Sequence, residues 1–182
     1  MRTALHNALA LALAVAAFSV DAADDRFDKE KGPMRGFLAA TDPLYVKECG
    51  ACHFPYSPGL LPARSWELHL KRLDKHFGEN VALNGETREA LRRYLAENAA
   101  DVSKYEGSHA FMERIEPSQT PYRLQEVLLY RTMHRIILEV INLKPKVKVR
   151  KLTNCNACHQ GADNGSFANS ELLIPGLTPT GR

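Results

Sequence analysis

Five consecutive residues, present twice, constrain this chain more than anything else in it: Cys49-Gly50-Ala51-Cys52-His53 and Cys155-Asn156-Ala157-Cys158-His159. In both, two residues separate the cysteines and a histidine follows at once, which is the attachment signature of a c-type haem. Two thiols three positions apart reach the two vinyl groups of one porphyrin. The next side chain then lies beneath the iron, where its imidazole supplies the first axial bond. Cysteine pairs also serve dithiol exchange, zinc binding and disulfides. Neither of the first two requires histidine after both pairs, and a dithiol motif belongs at a strand-to-helix junction, whereas the flanks here read as helical or irregular. The expectation is two covalently bound haem c groups, held by Cys49, Cys52, Cys155 and Cys158, with His53 and His159 on the irons.

The first 22 residues read as an export signal. Arg2 begins it, an apolar run spans Leu9–Val20, and Val20-Asp21-Ala22 offers a cleavage site after Ala22. The run is too short to cross a bilayer, and acidic residues follow it immediately. No other stretch could span a membrane, so a cleaved chain addressed to a bacterial periplasm is expected. Composition supports a globular domain, with 45% hydrophobic and 25% charged residues. Lysine plus arginine total 24 against 21 acids, a net charge of +3, too small an excess to argue for nucleic acid.

Four histidines remain for the second axial positions: His69, His76, His109 and His134. Met112 and Met133 compete, because Met/His ligation raises a haem's potential. A helix is predicted over Ser65–Phe77, with Ser65 as N-cap and Gly78 as its stop, and it carries His69 and His76 on one face beside Trp66, Leu73 and Phe77. Its last turn favours His76 over His69. A second helix, opening at Thr120-Pro121 and running through Leu124, Val127, Leu128 and Leu129, is predicted to end on His134, which is favoured for the second iron. His109 reads as an exposed loop residue.

Elsewhere Asp24–Arg35 reads as a charged tether, and Thr41-Asp42-Pro43 opens a short helix into the first motif. Phe54–Pro62 is a loop. Asn84 caps a helix over Thr87–Ala99 with Leu91, Tyr94, Leu95 and Asn98 on one face. Polar Asp101–Ser108 marks a boundary between an N-terminal haem unit, residues 23–104, and a C-terminal one, residues 105–182. Lys144–Lys151 forms a basic strip, read either as a solvated edge or as a docking patch for an acidic redox partner or an anionic membrane surface. The glycine- and proline-rich tail after His159 should be irregular. The expected fold class is all-α with extensive coil in two small haem c units, the second largely irregular around its haem, and little stable structure is expected without haem.

The order of these elements, with His76-Phe77-Gly78-Glu79-Asn80-Val81-Ala82-Leu83, Thr120-Pro121-Tyr122 leading to His134, and Asn154-Cys155-Asn156-Ala157-Cys158-His159, resembles the bacterial dihaem cytochrome c family over roughly residues 40–178. That resemblance implies a first half similar to a class I cytochrome c, and bis-histidine ligation at low potential with His76 and His134 distal. As partners it implies an oxygen-binding monohaem cytochrome c and a membrane b-type cytochrome. The leading expectation is one-electron transfer between such partners. Two other classes stay open: a small haem enzyme, either a peroxidase or an oxygen or nitric oxide reductase, with His69 or His109 as a distal group, and a haem-based gas sensor. Carbon monoxide separates them, since only an open iron binds it.

Overall fold

Helix formation starts where a capping side chain and a proline coincide. The computed structural model describes residues 35–143 and 152–177, with backbone alone over 141–143. Helix α1, Pro43–Cys49, opens with the Asp42 carboxylate accepting the Tyr45 N–H at 2.8 Å and Pro43 in its first turn. It delivers Cys49 as its last residue. Helix α3, Gly85–Glu97, is capped in the same way by Asn84, which accepts from the Thr87 N–H at 2.8 Å and turns Leu91 and Leu95 into the core. The export segment 1–22, the tether over 24–34 and the strip Lys144–Lys151 lie outside the described residues.

Helix α2 corrects one expectation. It spans Ala63–Lys71, so Ser65 lies inside its first turn, fully buried, and is not its cap. The free Ala63 N–H goes instead to the Asp101 carboxylate at 2.9 Å. The helix stops at Lys71 because a 3-10 turn, Leu73–Lys75, tightens the chain ahead of a reversal at Phe77 and Gly78, with φ of 52° and 101°. The reversal is closed by two bonds between His76 and Glu79, at 2.8 and 3.0 Å. His69 and His76 therefore do not share a helix face.

The second expected helix is displaced too. Leu124–Glu126 form a 3-10 turn, Val127 is extended, and helix α5 runs Leu128–Leu143, past His134. Thr120-Pro121 cannot nucleate it across that break. Between these elements, helix α4, Glu106–Met112, begins within the last three residues of the expected boundary: Gly107 donates to the Gly36 carbonyl at 2.9 Å, and Ser108 is fully buried. His109 sits on this helix, not in a loop.

One apolar core joins the parts. Leu60, Leu61, Trp66, Leu70, Leu91 and Leu95 pack with Phe111, Leu124, Val127 and Tyr130. Phe37 meets Phe111 and Phe167 edge-on at 5.3 and 5.4 Å. Its N–H donates to the Gly165 carbonyl at 2.9 Å. Residues 152–177 are coil with three short 3-10 turns. Among the described residues there is no strand, only two isolated bridges, His76–Glu79 and His159–Leu172. The fold is all-α with extensive coil.

Candidate haem-binding sites

Each five-residue motif is placed so that its histidine faces one histidine from elsewhere in the chain. In the first, α1 ends on Cys49, and the following turn presents Cys52 and His53. The His53 ring faces His76 with centroids 6.3 Å apart and planes 22° from parallel. In the second, a 3-10 turn, Cys155–Ala157, brings the His159 N–H back to the Cys155 carbonyl at 2.9 Å. His159 faces His134 of α5 at 6.1 Å and 67°. A metal bound at about 2 Å by one nitrogen of each ring, with ring centres roughly 1 Å farther out, separates the centres by about 6 Å. Both pairs have that spacing.

The tautomers fit as well. The Nδ1–H of His53 donates to the Phe54 carbonyl at 2.7 Å, and that of His134 to the Tyr130 carbonyl at 2.9 Å. A carbonyl only accepts, so in each neutral ring the lone pair is left on Nε2, as a ligand requires. Burial, and then the histidine opposite, push the pKa of His76 and of His159 below the usual value, which favours neutral, ligand-competent rings. Their Nδ1 atoms are buried without a partner.

Beside the second pair lies an apolar cavity of about 490 Å³, lined by Phe37, Tyr130, His134, Ile137, Cys155, Cys158 and Phe167 among others. That is ample for a porphyrin-sized ligand. Met133 and Ile136, each 66% exposed, border it, so a bound macrocycle accounts for apolar side chains otherwise facing water.

The thiols do not fit the competing chemistries. All four cysteines are unpaired. Burial raises Cys49 to about 11 and Cys155 to about 12, the opposite of an activated redox thiol. Among the described residues no three His, Cys, Asp or Glu side chains converge as a zinc site needs.

The other candidates do not face a motif histidine as His76 and His134 do. His69 stacks on Tyr122 at 4.3 Å and lies 5.8 Å from His76, its pKa pushed down to about 4, first by burial. His109 is exposed, with its Nε2 against the Ser103 carbonyl at 2.7 Å. Met112 packs on the core and Met133 is exposed. The aromatic walls, Phe77 apart, escaped sequence reasoning. Phe77 and Tyr122 lie 5.0 Å apart beside His69, Arg123 covers the Phe77 ring at 4.3 Å, and Tyr130 stacks on His134 at 4.1 Å. Only the spacing of Tyr130 and His134, one helical turn apart, was open to reading.

Comparison with known proteins points to the same cofactor. A family profile described as "Dihaem cytochrome c" matches residues 45–167. The chain is similar to a solved diheme cytochrome c from Rhodobacter sphaeroides, at 37% identity and TM-score 0.60, covering 71% of this chain and 99% of that one. It is also similar to a diheme c-type cytochrome from Shewanella baltica OS155, at 28% identity and TM-score 0.58, covering 74% of this chain and 93% of that one. No curated protein sequence matches it.

Proposed function

The chain belongs to the dihaem cytochrome c family and is a haem c electron-transfer protein, and from that premise we propose that it carries single electrons in the periplasm between a membrane-bound b-type cytochrome and a soluble monohaem c-type cytochrome. Two haem c groups are attached, through Cys49 and Cys52 and through Cys155 and Cys158. Each supplies a one-electron iron couple. His53 and His76 hold the first iron and His159 and His134 the second, which makes both bis-histidine and closes them to oxygen and peroxide. The protein then acts as a carrier, not as an enzyme or a gas sensor.

The observation that carries this reading is the pair of facing imidazoles at each motif, 6.3 and 6.1 Å apart. The chain's residues serve low reorganisation. The Phe54 and Tyr130 carbonyls fix ring orientation and strengthen the imidazoles as donors, and strong donors lower the potential. The apolar wall of α5 and the coil over 152–177 keep water from the second group. The periplasmic address rests on the expected export signal at residues 1–22; no helix among the described residues is long and apolar enough to cross a membrane. The test is the visible spectrum of the matured protein, oxidised and reduced, with carbon monoxide added to the reduced form. Two low-spin haems and no carbon monoxide shift are expected. A high-spin band, or an adduct at either iron, overturns the reading.

A further inference from the structure

The residues that flank the two haem motifs, Phe54 and Asn154, lie 100 positions apart in sequence yet meet. The N–H of Phe54, the residue after His53, donates to the Asn154 side-chain carbonyl at 3.4 Å, and Asn154 precedes Cys155. This long hydrogen bond links the residues that flank the two motifs. It takes the chain from one axial histidine to a haem-bearing cysteine of the other site through two peptide units and one side chain.

Tyr56 backs the same seam. Its ring lies 5.0 Å from His53 and 6.4 Å from the buried Phe54. Its backbone is pinned, because the Tyr45 hydroxyl donates to the Tyr56 carbonyl at 2.8 Å. Tyr56 and Tyr130 both lie within electrostatic reach of the Cys155 thiol and of each other, and Tyr130 stacks on His134. Tyr56 thus packs on His53 and Tyr130 on His134, with the Cys155 thiol near both rings.

We propose that the seam formed by Phe54, Asn154 and Tyr56 is the crossing by which an electron passes between the two haem sites, with Asn154 and Tyr56 as the residues that hold the gap closed. This rests on the carrier reading. One electron leaves the iron of one site, which is oxidised, and enters the iron of the other, which is reduced. No bond is made or broken and no proton moves. The external donor and acceptor are the one-electron partners of that reading.

The test uses the matured dihaem protein in half-reduced solution, where haem-methyl NMR lines report intramolecular electron exchange. Asn154→Leu removes the acceptor and Tyr56→Leu removes the ring. Each is expected to slow exchange measurably relative to the parent protein. Tyr56→Phe keeps the ring and is expected to exchange at the parent rate. Exchange at the parent rate in both leucine variants, with unchanged potentials, overturns the proposal. The unmodified protein supplies a check that needs no variant: neighbouring haems split the Soret circular dichroism band into a couplet, and an unsplit band also overturns the proposal. A carbon monoxide adduct with a split band would instead defeat the carrier reading and leave the seam standing.

Discussion

The imidazoles of His53 and His76 face each other within 22° of parallel, whereas those of His134 and His159 are inclined by 67°. Two parallel imidazole planes push the same iron d orbital and split it from its partner, while inclined planes act on both and leave them closer in energy. The oxidised protein is therefore expected to give two low-spin electron paramagnetic resonance signals of unequal anisotropy, the larger from the second site. Two superimposable signals would contradict the ring geometry.

Removing one facing histidine should open one iron only. In His76→Ala the first haem is expected to become high-spin and to bind carbon monoxide when reduced, with the second unchanged. His134→Ala should do the reverse, and each variant should remove its own paramagnetic signal. His69 provides the contrast. Its ring stacks on Tyr122, and partial burial pushes its pKa down to about 4. His69→Phe is expected to keep both low-spin spectra. A high-spin first haem in that variant would move the axial ligand from His76 to His69.

Helix capping at the first motif carries a measurable share of stability. The Asp42 carboxylate accepts the Tyr45 N–H at the start of the seven-residue helix that ends on Cys49. Asp42→Ala should cost about 1 kcal/mol, read as a lower urea midpoint with an unchanged slope. The spectra should not change, because Cys49 sits in the last turn, at the opposite end from the cap, and Cys52 and His53 lie beyond the helix.

Features that depend on neighbouring residues were legible. Asp42-Pro43 and Asn84 announce helix starts by side chain and spacing, and the two cysteine-histidine motifs announce their chemistry outright. Misreadings arose where a local signal met a tertiary demand. Ser65 has the chemistry of a cap, but it is buried inside α2, and the capping falls to Asp101, 38 residues from Ala63. Phe77-Gly78 was legible as a stop, but not as a reversal that sets His76 opposite His53. Helix α5 continues through Ile136, Ile137 and Val140, an apolar spacing that was available, and Val127 breaks the start that Thr120-Pro121 suggested. The seam between Phe54 and Asn154 spans 100 residues, and no local pattern encodes it.

The closure of the coil over 152–177 onto the N-terminal segment depends on a residue without a side chain. Gly165 has φ of 75°, and a Cβ there would collide with the Phe37 carbonyl oxygen, on backbone that cannot swing aside. Gly165→Ala therefore meets two costs, the left-handed conformation at about 1–2 kcal/mol and the steric displacement of the Phe37 strand of coil. The Phe37 N–H bond to the Gly165 carbonyl, and the edge contacts of Phe37 with Phe111 and Phe167, lie directly at that point. Since Phe37 and Phe167 also line the second cavity, the variant should lose at least ~2 kcal/mol in urea unfolding and perturb the second haem's spectrum before the first. Equal perturbation of both haems would mean that the collision is relieved elsewhere in the core, and a parent-like midpoint would show that the contact does not hold the coil in place.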